Sequence, residues 1–175
     1  LKQSMESSLD TLAKLGEQPL REMSDDTLKA DMMKMNEILW NTPDESIMNL
    51  HENKAKKINT TLEIYSNLCR VLHLAKPSLV GAVSLRMVEL TMSNGLASSS
   101  PIAFGYYGEA LVANGSVEEG CRLGRLALKL VENKLSLVHK SAVIAIVYQL
   151  ILWASDPLQS IIEANEIGRK VGQQC

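Results

Sequence analysis

Residues 104–127 carry the sequence FGYYGEALVANGSVEEGCRLGRLA, whose spacing predicts a helix, a tight turn and a second helix. Large and small residues recur three and four positions apart in the first half, so they share one helical face. Gly108 and Gly120 have no side chain that would hold two paired helices apart. We therefore expect close antiparallel packing through seven residues: Phe104, Tyr107, Gly108, Leu111, Gly120, Gly124 and Ala127.

Capping signals stand at the expected ends of both helices. Ser100 followed by Pro101 fits an N-cap with proline at the first helical position, where the missing N–H costs nothing. Gly115 supplies the left-handed residue that ends the first helix. Ser116 and Glu119 have the spacing of a capping box at the start of the second helix. Local signals thus support the pair independently of its packing pattern.

Spacing and caps together resemble the tetratricopeptide repeat, although Gly124 stands where that motif usually has a large aromatic residue. The second helices of three successive pairs also align, since residues 81–86, 120–125 and 164–169 each begin with a small residue and end with an arginine. The offsets of 39 (125 − 86) and 44 (169 − 125) exceed the roughly 34 residues of a standard unit. One pair cannot bury its apolar face alone, so neighbouring pairs should stack. We predict an all-α, right-handed tetratricopeptide-like α-solenoid of five to eight helices.

The pattern predicts a helical lead-in over residues 1–42 and helical repeats over residues 43–175. Second helices are expected near residues 79–94, 117–132 and 157–171, and the first helix of the last pair near residues 135–154. The chain begins with Leu1 rather than Met and stops abruptly, which favours a fragment of a larger protein. The core is expected to contain Leu62, Leu72, Met87, Leu111, Ala127, Val147 and Leu150.

The composition favours helices and argues against several classes of partner. Hydrophobic residues make up 46% of the chain but aromatic ones only 4%, which suits helix–helix packing. The 18 basic and 20 acidic residues are interspersed without a basic stripe, so we expect no nucleic-acid partner. No apolar run approaches the roughly 18 residues of a membrane span. The widely spaced Cys69, Cys121 and Cys175 favour reduced thiols and a cytoplasmic location.

No recognisable catalytic constellation accompanies the helical pattern. The sequence has no Gly-x-x-x-x-Gly-Lys-Ser/Thr loop. Its histidines are isolated, apart from a weak Cys69/His73 pair. Acidic pairs such as Glu118-Glu119 oppose the helix dipole in a first turn. We therefore predict no catalytic, cofactor-binding or metal-binding residue and no cofactor.

An arginine ends each of the three aligned segments, at Arg86, Arg125 and Arg169. Such residues pair with carboxylates of neighbouring repeats or form an interaction row for an acidic partner. We expect intramolecular pairing and keep the interaction row as the alternative.

From about Ser24 to Gln173 the chain resembles the helical-repeat region of large predicted ATPases that join signalling domains. Those proteins combine a protein-kinase-like domain, an AAA/STAND-type ATPase, a helical array, and often GAF and histidine-kinase modules. The resemblance is one of pattern and order, and it rests on Leu79–Gly95, Ala103–Leu130 and Tyr148–Gly172. It implies a regulatory array between an ATPase and an output kinase. It transfers no catalytic residue, because the phosphate-binding loop, the metal-binding aspartate and the phosphoacceptor histidine of such proteins lie outside this region.

We therefore expect a non-catalytic scaffold whose partners are proteins or other domains of the same chain. A self-standing peptide-binding adaptor and the helical domain of a split enzyme are the alternatives. An adaptor of the chaperone-tail type would need Lys and Asn on the inner face of the first helix. The residues expected on that face do not include either type: Ile102, Gly105, Glu109, Val112 and Ala113.

Overall fold

The computed structural model describes residues 2–18, 24–133 and 137–173. Within those ranges it contains helices and no strand, which confirms the all-α prediction. The described part of the chain has nine α-helices, more than the expected five to eight. Their bounds are α1 Lys2–Lys14, α2 Asp25–Trp40, α3 Asp44–Met48, α4 Lys56–Ala75, α5 Val80–Asn94, α6 Ser100–Ala113, α7 Val117–Asn133, α8 Leu137–Ile146 and α9 Leu158–Gly172.

The chain divides into two compact units, Leu1–Ala97 and Ser98–Cys175. The expected boundary after residue 42 falls inside the first unit, because α1 packs on α4 and α2 packs on α5. The predicted second helices coincide with α5, α7 and α9 to within one residue at each end. The expected start of the 135–154 helix and Cys175 lie outside the described residues.

In the first unit, α4 and α5 form the central pair, and the segment that leads into α4 lies beside the segment that follows α5. Gly95 ends α5 with a positive φ of 93°, which turns the chain back toward the start of α4. Leu96 then donates its amide to the His51 carbonyl at 2.8 Å, and its carbonyl accepts the Asn53 amide at 2.8 Å. These bonds form an isolated parallel bridge between Glu52 and Leu96. A hydrogen-bonded clasp thus closes the α4–α5 pair at one end.

In the second unit, α6 and α7 form the central pair, joined by a tight turn. The turn is a Schellman motif, since Ser116 donates to the Leu111 carbonyl at 2.9 Å and Gly115, with φ 89°, donates to the Val112 carbonyl at 3.0 Å. The N-cap of α6 is Ser99, one residue before the expected Ser100.

Glu119 has a role that differs from the one expected in a capping box. Both of its carboxylate oxygens accept hydrogen bonds from Arg122, at 3.0 Å and 2.6 Å, and Glu119 is buried. The acidic residue near the start of α7 therefore forms an ion pair within the helix, three residues apart.

A π-helical turn extends α8 and changes which residues enter the core. The turn covers Val147–Ile151 and is followed by a 3-10 turn over Leu152–Ala154. A π-helix has more residues per turn than an α-helix, so the buried stripe continues from Val147 to Ile151. Leu150 is therefore only half-buried, and its assignment to the core was wrong. The other predicted core residues are buried: Leu62, Leu72, Met87, Leu111, Ala127 and Val147.

Candidate functional site

The backbones of α6 and α7 touch at two glycines. A Cβ atom added to Gly120 would lie 2.6 Å from the Gly108 carbonyl oxygen, and one added to Gly108 would lie 2.8 Å from the Gly120 carbonyl oxygen. Ordinary contact with a Cβ begins at 3.4 Å, so neither position has room for a side chain. All seven residues expected to pack this pair are buried: Phe104, Tyr107, Gly108, Leu111, Gly120, Gly124 and Ala127.

Gly124 faces the next helical segment rather than the backbone of α6. A Cβ at this position would lie 3.2 Å from both Val147 Cγ1 and Ile151 Cδ1. These two side chains come from the π-helical turn and fill the space beside Gly124. The large aromatic residue that the repeat motif usually has at this place is thus replaced by two aliphatic residues from another segment.

The face of α6 that an adaptor would offer to a peptide is largely covered within the second unit. Ile102 and Gly105 are buried, and a Cβ at Gly105 would lie 3.1 Å from Ile146 Cγ2 of α8. Glu109 is half-buried and its Oε2 atom is fully buried. The helix α8 packs on α6 and covers the first part of this face, whereas Val112 is half-buried and Ala113 is exposed.

In the first unit, two side chains from distant segments meet at the carboxylate of a third residue. The helix α1 ends in a Schellman motif, because Glu17 donates its amide to the Leu12 carbonyl and Gly16 donates to the Ala13 carbonyl, both at 3.0 Å. Gly16, with φ 86°, allows this turn. The turn fixes the backbone of Glu17 directly beyond the helix. Its side chain is only 11% exposed.

The Glu17 carboxylate accepts hydrogen bonds from both Arg86 and Tyr65. Arg86 Nε donates to Oε2 at 2.8 Å and Nη2 donates to Oε1 at 3.3 Å, a two-point arrangement. The Tyr65 hydroxyl donates to the same Oε2 at 2.9 Å. A further bond of 3.1 Å, from Arg86 Nη1 to Glu89, holds the guanidinium from its other side. We call Tyr65, Arg86 and Glu17 the carboxylate cluster.

The pKa values of this cluster move away from neutrality. Burial raises the pKa of Tyr65 well above its usual range, and the hydrogen bond to Glu17 adds to this effect. Burial would also raise the pKa of Glu17, but hydrogen bonds from Arg86 and Tyr65 outweigh it and lower that pKa. The hydrogen bond to Glu17 raises the pKa of Arg86. At neutral pH Glu17 and Arg86 are therefore charged, and the Tyr65 hydroxyl keeps its proton.

In the second unit, Arg125 is also paired within its own unit. Its Nη2 atom donates to Asp156 Oδ1 at 2.8 Å, and Ser155 Oγ donates to the same oxygen at 2.8 Å. The buried Cys121 thiol donates to Ser155 Oγ at 3.4 Å. This arrangement ties α7 to the residues that precede α9. Arg169 lies exposed on α9.

The outcome for the arginines is intramolecular pairing at two of the three positions. Arg86 bonds to a segment that precedes it, at Glu17, whereas Arg125 bonds to the segment that precedes the following second helix. Sequence reasoning had assigned Arg86 to the arginine row, and it missed Glu17. A signal was present, because the residue after a Schellman glycine is frequently apolar and here it is a glutamate.

Cys69, one member of the weak Cys69/His73 pair, is a core residue. Cys69 is buried with its Sγ atom 4.0 Å from Met87 Sδ. Among the described residues, no group of three or more His, Cys, Asp and Glu side chains could hold a metal ion. Over the same ranges, no helix has both the length and the apolar character required to cross a membrane.

Comparisons of the chain with protein-family models, with curated proteins and with solved structures gave no significant match.

Proposed function

We propose that this chain is a non-catalytic helical-repeat scaffold for contacts with proteins or with neighbouring domains. The observation that carries this proposal is the backbone contact between α6 and α7 at Gly108 and Gly120, which is typical of paired repeat helices. In this proposal the pairs belong to a right-handed tetratricopeptide-like α-solenoid. It serves as the regulatory array of a multidomain ATPase and kinase signalling protein in the cytoplasm, without a cofactor.

The polar clusters support a scaffold rather than an enzyme. The carboxylate cluster and the Arg125–Asp156 pair are each satisfied by partners within their own unit. The carboxylate cluster also has no group with a pKa brought toward neutrality, which general acid–base catalysis would favour. The adaptor alternative is less favoured, because Ile146 covers the inner face of α6 at Gly105.

The surface of α2 is the best candidate for the contact with a partner protein. Met33 is 72% exposed and Trp40 is 67% exposed. They are seven residues apart, so they lie two turns apart on the same face of the helix. Exposed tryptophan is enriched among the residues that dominate binding energies at interfaces. The adjoining stripe, about 100° around the helix, contains Met32 and Leu39 and is buried in the first unit.

Two measurements test the proposal at different levels. The purified chain should hydrolyse ATP no faster than buffer, and a measurable turnover would refute the scaffold assignment. The complete reading frame should encode a nucleotide-binding loop upstream and a kinase core downstream. A reading frame without these domains would refute the signalling context and leave the adaptor as the better proposal.

The role of α2 is tested with the separately purified ATPase and kinase regions of that reading frame. Isothermal titration calorimetry should show binding of the chain to one of them. Replacing Trp40 by alanine should weaken this binding about tenfold or more, as expected for a central aromatic residue. Leu74→Ala is the matched control, because Leu74 is 76% exposed but lies on α4. Equal losses in both variants would contradict a specific role for α2.

A further inference from the structure

We propose that Tyr65 and Arg86 form a carboxylate-binding site for the end of a docked helix. The occupant that we assign to it is the segment of residues 2–18 of a second copy, which takes the place of the chain's own segment. In this view α1 is an exchangeable ligand of the α4–α5 pair. This role is independent of the ATPase and kinase context proposed above.

The receptor half of the site lies entirely on α4 and α5. Tyr65 is 1% exposed, and its hydroxyl group bonds to the Glu17 oxygen that also receives Arg86 Nε. Glu89, three residues after Arg86 on α5, holds the guanidinium in place. A planar guanidinium with two donors matches the geometry of a carboxylate, which a single lysine would not do. The site is therefore built by residues that do not belong to α1.

The helix α1 is attached by a short apolar stripe and by this carboxylate. Among the side chains of residues 3–15, Leu12 is the one that is buried, and Met5, Leu9 and Leu15 are half-buried. Most other residues of that stretch are polar and exposed. Because a single side chain of the stripe is fully buried, the charge-assisted bonds to Glu17 add substantially to the attachment.

The same observations define which residues a helix needs in order to take the place of α1. An incoming helix needs a leucine at the position of Leu12, a glycine that ends the helix as Gly16 does, and a glutamate directly after it. The Schellman turn then directs the carboxylate to Arg86 and Tyr65. Residues 2–18 of a second copy meet all these requirements. Within one chain, α1 competes at the high effective concentration of a tethered ligand.

The experiment uses a fluorescein-labelled synthetic peptide of residues 2–18 and the full chain, with binding followed by fluorescence anisotropy. In the parent chain its own α1 should compete with the peptide and keep binding weak. Glu17→Gln in the full chain removes the charge of the tethered competitor. The peptide should then bind about tenfold more tightly or better, as expected for hydrogen bonds to a charged group.

Three matched variants locate the binding. Asp10→Asn in the full chain removes an exposed acid of α1 that lies outside the site, and it should leave peptide binding at the parent level. Adding Arg86→Met to the Glu17→Gln chain should abolish the gain. A peptide that itself carries Glu17→Gln should bind the Glu17→Gln chain about tenfold more weakly than the parent peptide.

The proposal also predicts a change within α1 itself. Hydrogen exchange of the α1 amides should be faster in the Glu17→Gln chain, while the α5 amides keep their protection. Tyr65→Phe, which keeps the buried ring, gives the same prediction if Glu17→Gln impairs folding. Equal peptide binding by the parent, Glu17→Gln and Asp10→Asn chains would overturn the proposal. Binding that is insensitive to Arg86→Met would also overturn it, because the peptide would then occupy another surface.

Discussion

Replacing Gly120 by alanine tests the contact between α6 and α7 most directly. The new Cβ atom would lie 2.6 Å from the Gly108 carbonyl oxygen and 2.6 Å from Val112 Cγ2, against 3.4 Å for ordinary contact. The carbonyl oxygen belongs to the backbone and cannot rotate away, so the two helices must move apart. Overpacking of this kind costs about 3 kcal/mol, the upper end of the usual range.

The favourable part of the same substitution is the higher helix propensity of alanine. It stabilises a helix interior by about 1 kcal/mol relative to glycine. The net expected effect is therefore a loss of about 2 kcal/mol in the free energy of unfolding of the second unit. For a unit of this size, such a loss lowers the melting temperature by about 8–16 °C.

The assay needs a probe that reports on the second unit alone. Trp153 lies in that unit and Trp40 in the other, so Trp40→Phe makes Trp153 fluorescence specific. The control is Gly124→Ala on the same helix, where the new Cβ would meet only side-chain methyl groups, at 3.2 Å. Those groups can shift, so the propensity gain and the packing cost should nearly cancel, within about 0.5 kcal/mol. If the second unit of the Gly120→Ala chain melts at or above the melting temperature of the parent, the two backbones do not touch.

Three other perturbations give expected results. Tyr65→Phe removes one hydrogen bond to Glu17 and should cost the first unit about 1–2 kcal/mol, measured by urea unfolding followed through Trp40; an unchanged midpoint would contradict the bond. The folded-state pKa of Glu17 is lowered from about 4.5, so its contribution to stability should be complete above that value and lost as the pH falls through the folded pKa. Glu17→Gln should remove this part of the pH dependence of the urea midpoint, and a persistent slope would assign it to another group. Gly95→Ala should lower the melting temperature more than Gly115→Ala does. Both glycines have positive φ, but only a Cβ at residue 95 would lie against the His51 carbonyl oxygen. The opposite order of melting temperatures would contradict the clasp.

The sequence predicted the helix ends and core residues that depend on local signals. Gly115 and Ser116 identified the end of α6 and the start of α7, and the predicted ranges of α5, α7 and α9 agree with the structure to within one residue at each end. The periodic stripe of α4 identified Leu62 and Leu72 as core residues. These features depend on residues three to five positions apart, which a single sequence displays directly.

Features that depend on distant partners were not predictable in this way. Glu17 meets Tyr65 and Arg86, which are 48 and 69 residues away along the chain. No spacing rule links such positions. The π-helical turn was missed for another reason, since the apolar run of that segment fits either Leu150 or Ile151 in the core. Packing against Gly108 and Gly124 selects Ile151.

The parallel bridge between Glu52 and Leu96 has a consequence for how such a chain can shorten. The peptide that enters the α4–α5 pair and the peptide that leaves it are hydrogen-bonded neighbours that run in the same direction. Removing the intervening residues would leave the flanking ends close together and already aligned. Loss of this stretch would therefore delete one whole helical pair while keeping the two flanking ends within reach of each other.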